Sequence, residues 1–433
     1  MKTTGGRKTP VERFLSLFSV VEAGEGATAV LLTLNVFLLL GAYYILKVVR
    51  DTLILAESGA EVASYSSAGQ AALLLLVVPA YSAFAARTNR IQLVTWATLF
   101  FVSHLGVFFL LGNAGYHIGI PFYLWTGVFN VFVVAQFWAF ANDIYTKPQG
   151  ERLFPIIGVG ASLGAWVGTA LIGDIFEAVG PYVAMLIGAA VLVLCVGITR
   201  IVNRRGSGRD EPEQVADAGA QFSKEGGFAL VWKSRYLRYI ALLILLLNLV
   251  NTTGGYMLNR LVTDAASGLS ETEQVEFIGS YIGGVYAWVN LLGLLIQMFA
   301  VSRIFAAIGV RGALFVLPAI SLGGYAALML APALGVVRIV KIAENSTDYS
   351  LMNTVRAALY LPTSRDVKYK AKQAIDTFFV RFGDMLQAGL VFVGVEILSF
   401  GVRQFAMVNF AMVLLWIGAA VVIYREHKKL SAA

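Results

Sequence analysis

The chain has 433 residues, of which 58% are hydrophobic and 14% charged, with a formal net charge of +7. So little polar surface cannot cover a soluble globule of this length, and a bilayer is the natural solvent. One cysteine excludes a disulfide framework, and no phosphate-cradling glycine loop, nucleophile elbow or zinc spacing occurs, so neither enzyme chemistry nor a cofactor is expected.

Residues 9–21 read as a short interfacial helix, because no cleavage site follows and the next apolar run is full length. A helix needs about 20 apolar residues to cross the hydrocarbon layer. Stretches of that length without Asp, Glu, Lys or Arg cover 26–46, 62–86, 91–142, 153–173, 178–199, 239–259, 277–302, 312–337 and 404–424. The third is long enough for two crossings, with Gly112, Asn113, Gly115 and Pro121 supplying the turn. Between Leu334 and Phe400 there is room for two more, around 334–355 and 374–399, and these must carry charge. The expectation is an all-α integral membrane protein of twelve transmembrane helices.

Lys and Arg are retained on the cytoplasmic side, and they crowd the exit of every even-numbered helix. The opposite loops, such as the one holding Glu57 and Glu61, carry almost none, Arg260 and Arg403 being the exceptions. Both termini are therefore expected in the cytoplasm. The polar stretch 203–227 (NRRGSGRDEPEQVADAGAQFSKEGG) divides the helices into bundles at 26–202 and 228–425, flanked by an N-terminal segment, 1–25, and a tail, 426–433. Two six-helix halves joined this way make a major-facilitator-like organisation.

Charges that cannot easily reach water cost about 2.5 to 3.5 kcal/mol each at a helix centre, so those that remain usually face a partner or an aqueous cavity. The first helix ends AYYILKVVRDTLIL, with Tyr43, Lys47 and Arg50 on one face. The tenth reads VVRIVKIAENSTDYS, with Arg338, Lys341, Glu344, Asn345 and Asp348 on another. Both helices are expected to line the central cavity, which gives four cations (Lys47, Arg50, Arg338 and Lys341) around one aqueous space suited to a polyanion. The competing reading pairs Arg50 with Asp51, Lys341 with Glu344 and Arg381 with Asp384 as structural or gating salt bridges. Lys372 and Asp376, spaced i, i+4, form a candidate gate that an anion could open by competing for the lysine.

The stretch YSLMNTVRAALYLPTSRDVKYKAKQAID resembles the most distinctive block of the ATP/ADP translocase family through Tyr349, Ser350, Leu351, Arg356, Tyr360, Pro362, Lys368, Lys370, Lys372, Ala374, Ile375 and Asp376. QFWAFANDIYTKPQGERLFPIIGVGASLGAWVG is similar to a second block through Phe137, Trp138, Phe140, Ala141, Asn142, Arg152, Pro155, Gly158 and Gly160. Tyr43, Ile45, Leu46, Arg50, Asp51 and Leu53 match a third. The resemblance implies nucleotide exchange by alternating access in a bacterial inner membrane, by a monomer that binds a small anion and no nucleic acid. Basic residues would hold the phosphates, Tyr43, Trp138 and Tyr349 offer faces for a base, and Asn142 and Asn251 complete the binding set. Asp51, Glu344, Asp348, Lys372, Asp376 and Arg381 are the gating or coupling candidates. Gly254 and Gly255 stand where the resemblance implies an acid in the seventh helix, so a different phosphorylated solute is weighed beside ATP and ADP. Two further alternatives are a proton-coupled carrier of another anionic metabolite or lipid, and a non-transporting receptor on a carrier fold.

Overall fold

The computed structural model describes residues 8–17, 19–85, 89–206, 226–364 and 366–430. Most of the expected linker, together with residues 1–7 and the last three of the tail, lies outside them. Among the described residues every regular element is a helix. In chain order these are α1 (Pro10–Leu15), α2 (Gly26–Ala85), α3 (Arg90–Asn113), α4 (Gly119–Ile144), α5 (Lys147–Ala170), α6 (Ile172–Gly206), α7 (Gly227–Lys233), α8 (Arg235–Ala266), α9 (Glu271–Leu295), α10 (Val301–Ala313), α11 (Val316–Leu330), α12 (Leu334–Thr347), α13 (Asn353–Leu359), α14 (Lys372–Ala374), α15 (Val380–Phe392) and α16 (Val402–Leu430). Nine helices among the described residues are long and apolar enough to cross a membrane.

α2 runs for 60 residues, about 90 Å if it were straight, against a hydrocarbon layer of about 30 Å. Gly59, at φ 83° and ψ 178°, breaks it in two. The loop expected around Glu57 and Glu61 is thus reduced to one hinge residue, and the first helix continues through Lys47, Arg50 and Asp51 without interruption. α11 is shorter than its charge-free run, at 15 residues, because the chain leaves helical geometry at Ala331 (φ −135°, ψ 88°).

The charged stretch 347–384 is wound irregularly. Wide π turns occupy Asp348–Met352, Val367–Ala371 and Ile375–Phe379, separated by α13 and the single turn α14. Such turns rotate the side chains that follow them and are frequent at functional positions.

The helices cluster into two units: Met1–Leu53, Leu74–Ala216 and Ile282–Ala287 in the first, and Ile54–Leu73, Asp217–Tyr281 and Trp288–Ala433 in the second. Within the first, α2 and α5 meet backbone to backbone. A Cβ added at Gly164 would lie 2.0 Å from the Phe37 carbonyl oxygen, one at Gly168 2.5 Å from that of Gly41, and one at Gly160 2.7 Å from that of Thr33. The run GVGASLGAWVG therefore places three glycines, four residues apart, where only a hydrogen fits. In membranes this close van der Waals approach replaces the missing hydrophobic drive between helices.

Ahead of α2, Thr9 and Glu12 form a capping box on α1, with the Thr9 amide donating to Glu12 Oε2 at 2.7 Å. The amide of Gly24 donates to Glu12 Oε1 at 2.7 Å and folds the segment back on itself. Arg152 of α5 then grips Glu25 with both guanidinium nitrogens, at 2.9 and 3.1 Å. Val11, Phe14, Leu17 and Val20 stay exposed on this segment.

Amides of Thr9 and Gly24 hold the Glu12 carboxyl below the usual range. Burial raises that of Glu25, but Arg152, the Glu22 amide and Gln149 outweigh it and leave the net shift downward. Both folded-state values lie below the unfolded one, so the stabilisation is fully present above the ordinary Glu value of about 4.3 and is lost as pH falls through the folded values. Hydrogen exchange should accordingly show residues 9–26 protected at pH 6 and released well below pH 4, while the membrane helices keep their protection. Gly164→Ala forces α2 and α5 apart and should cost about 1 to 3 kcal/mol of stability through overpacking; Gly59→Ala meets no clash and should cost only the backbone strain, also about 1 to 3 kcal/mol, with the α2–α5 contact intact.

Candidate functional site

The expected site residues divide between the units: Tyr43, Lys47, Arg50, Asp51, Trp138 and Asn142 in the first, the remainder in the second. In the first, i, i+3 and i, i+4 spacing on unbroken α2 keeps Tyr43, Lys47 and Arg50 together. The Arg50 guanidinium donates from Nε to Asp51 Oδ1 at 2.7 Å and lies 4.4 Å from the ring centre of Tyr123 on α4. Asp51 Oδ2 accepts from the Tyr286 hydroxyl at 2.8 Å. The ring of that tyrosine sits under the Lys47 ammonium at 4.1 Å, and the Tyr44 ring is 5.2 Å away on the lysine's own helix. Lys47 makes no ion pair among the described residues; its charge is met by aromatic faces, an interaction of about 0.5 to 2 kcal/mol. Tyr43 packs 5.2 Å from Tyr44 and 6.4 Å from Phe129.

Trp138 packs edge-on against Phe137 and Phe154 at the margin of the apolar core. Asn142 is exposed and lines a cleft of about 560 Å³ with Thr146, Glu151 and Phe154.

In the second unit the structure corrects the expected exposure of Lys341. Only 2% of this residue is accessible, and its three N–H donors are all taken, by Glu344 Oε2 at 2.8 Å, the Asn251 carbonyl at 2.9 Å and Asn251 Oδ1 at 2.6 Å. Glu344, equally buried, also accepts from Ser321 at 2.6 Å and Tyr325 at 3.0 Å on α11. Lys341 therefore has no donor left for a phosphate in this conformation. Gly254 makes room for the arrangement: a Cβ there would lie 2.3 Å from the Tyr325 hydroxyl and 3.2 Å from Lys341 Nζ. The acid that faces this lysine is carried by α12, and a side chain on α8 at 254 would collide with it.

Arg338, one turn earlier, is half-buried with its guanidinium 5.0 Å from the Tyr281 ring. Asn251 Nδ2 reaches Asp348 Oδ2 at 3.5 Å, and Tyr349 is 47% exposed. Lys372 stands 3.7 Å from Asp376, but the nearer partner is Arg356 of α13, at 2.8 Å. Arg381 reaches Asp384 at 3.4 Å, and Asn248 donates to the same carboxylate at 2.8 Å. All three of the expected local salt bridges, Arg50–Asp51, Lys341–Glu344 and Arg381–Asp384, are thus formed. Tyr123, Tyr286, Ser321, Tyr325 and Asn248 escaped the sequence reading; Ser321 and Tyr325 alone had a signal, polar groups one helical turn apart in an otherwise apolar run.

Removing one member of a buried pair leaves the other charge unpaired, at about 3 to 5 kcal/mol, whereas removing both together is often nearly neutral. Lys341→Ala should lower the melting temperature steeply, and Lys341→Met combined with Glu344→Gln should recover most of the loss.

A model of the TLC ATP/ADP transporter family matches residues 105–427. The chain is similar to ADP,ATP carrier protein 1 of Chlamydia muridarum, with 24% identity over 70% of this chain and 64% of that one. It spans about two thirds or less of the length of such chlamydial relatives. ADP,ATP carrier protein 5 of Rickettsia bellii is 22% identical with full coverage of both chains. Among solved structures, a bacterial homologue of the iron transporter ferroportin in an inward-facing state superposes with a TM-score of 0.65 at 15% identity, over 92% of this chain and 98% of that one. The nucleoside transporter NupG gives 0.61 at 13% identity, over 94% and 99%. These likenesses make the fold major-facilitator-like and the chain a multi-pass membrane protein. By the family match over most of its length, the chain belongs to the TLC ATP/ADP transporter family.

Proposed function

We propose that the protein is a secondary carrier that exchanges nucleotides of the ATP/ADP type by alternating access, as a monomer in a bacterial inner membrane. Family membership supports the transport class, and the likeness to chlamydial and rickettsial ADP,ATP carriers supports the nucleotide. Nine apolar helices among the described residues, the first divided at Gly59, would together with Val316–Leu330 and the charged run 334–352 make twelve crossings. The basic exits of the even-numbered helices support a cytoplasmic side for both termini and the 203–227 linker.

The observation that carries the substrate class lies in the first unit: the Lys47 ammonium, which has no ion pair among the described residues, sits over the rings of Tyr44 and Tyr286, and a second cation, Arg50, lies beside it over the ring of Tyr123. A nucleotide needs convergent cations for its phosphates and an aromatic face for its base. Asp51 occupies part of the Arg50 fork and would yield it to an incoming phosphate; until then it offsets one of the site's two positive charges.

The test is equilibrium binding of ATP and ADP to the purified protein. A charge-assisted hydrogen bond to phosphate contributes about 1.5 to 3 kcal/mol, so Lys47→Ala should weaken affinity about 10-fold to 100-fold with little change in melting temperature, since no acid is stranded. Unchanged affinity would remove Lys47 from the site, and the absence of nucleotide binding by the parent protein would overturn the substrate class.

A further inference from the structure

Arg260 is one of the few cations on the face of the membrane that the topology otherwise keeps free of them, and the structure supplies its reason. The guanidinium pairs with Glu61 Oε1, the same oxygen that accepts from the Tyr256 hydroxyl at 2.9 Å, and Asp264 closes the other side of the arginine at 3.2 Å. Tyr256 and Arg260 stand one turn apart on α8, so both reach the same carboxylate. Glu61 lies two residues past the Gly59 break, and its Oε2 is 3.6 Å from where a Gly59 Cβ would stand. The following turns dock through Gln387 of α15, which donates to Ser64 at 3.2 Å, and through the Tyr65 ring, 6.4 Å from that of Phe392. Accordingly Ile54–Leu73 groups with the second unit, while the rest of α2 belongs to the first.

We propose that Glu61, gripped by Arg260 and Tyr256, is a latch that holds the Gly59 hairpin against α8 and α15, and that it parts in each transport cycle to admit solute from the non-cytoplasmic side. Two features mark it as a switch and separate it from a fixed strut. The side chains of Glu61 and Arg260 are 21% and 42% exposed, so water can take over both charges when they separate. The Lys341–Glu344 pair, at 2% and 3%, has no such substitute and stays shut. Beside the latch sits Gly59, a residue without a side chain and already outside helical geometry, so its backbone can rotate at little steric cost.

The inference rests on the carrier reading. Its test uses Cys195→Ser protein with Ser64→Cys as reporter, in intact cells treated with a membrane-impermeant maleimide, and ATP/ADP exchange is measured in parallel on liposomes. Glu61→Gln and Arg260→Gln should each raise the labelling rate at position 64 about 5-fold to 30-fold, between the effect of an exposed ion pair and that of a buried charge-assisted one. The exchange Glu61→Lys with Arg260→Glu should restore slow labelling to within about 2-fold of the reporter alone, because the pair can re-form. Unchanged labelling in both single variants overturns the latch, as does a lowered melting temperature without increased labelling, which would make the pair purely structural. Labelling that stays fast in the exchange variant overturns it too. Labelling is read without any solute, so these outcomes are separate from the absence of flux in the parent protein, which would overturn the carrier reading alone.

Discussion

Hydrocarbon offers no partner to a charge, and most of this molecule's specific geometry follows from that constraint. Lys341, Arg50 and Lys47 answer it in three different ways. Lys341 is enclosed by Glu344 and both oxygens of Asn251, Arg50 is held by Asp51 and a tyrosine face, and Lys47 meets tyrosine faces with no ion pair among the described residues. The answers differ in what they leave available. A saturated, buried pair is fixed, because separating it strands a charge; an ammonium against a ring face retains all three donors for a ligand that brings acceptors. The ranking of candidate residues therefore comes from counting used donors, which separates Lys47 from Lys341 although both are single lysines in predominantly apolar helices.

Placing those cations depends on how closely the helices pack. α2 can present Tyr43, Lys47 and Arg50 at a fixed height because its earlier turns lie on α5 with glycine hydrogens at the interface, where side-chain methyl groups would not fit. The same economy of volume acts at Gly254, where the missing side chain gives Lys341 and the Tyr325 hydroxyl their space. The negative charge that meets Lys341 comes from its own helix, through Glu344.

The N-terminal segment shows the opposite regime. Outside the hydrocarbon, Glu12 and Glu25 are satisfied by amides and by Arg152, and their lowered proton affinity makes the fold of that segment sensitive to acid in a way the membrane helices are not. The exposed Val11, Phe14, Leu17 and Val20 face outward from a scaffold tied to α5, so an amphipathic strip is held at the start of the bundle.

Much was legible in the sequence because hydropathy and helix period are local. The apolar runs located the helices, the spacing 43, 47 and 50 put those residues on one face, and the pairs Arg50–Asp51, Lys341–Glu344 and Arg381–Asp384 were visible as neighbours along a helix. What the sequence could not contain was any partner from another helix. Tyr286 lies 235 residues from the aspartate it holds, Tyr256 is 195 residues from Glu61, and Gln387 is 323 residues from Ser64. Whether a charge is open or saturated is a property of those remote partners. Composition and periodicity determined that this is a bundle of membrane helices bearing cations. Only tertiary packing decided which cations are spent, because burial and donor count depend on side chains brought together across the whole length of the chain.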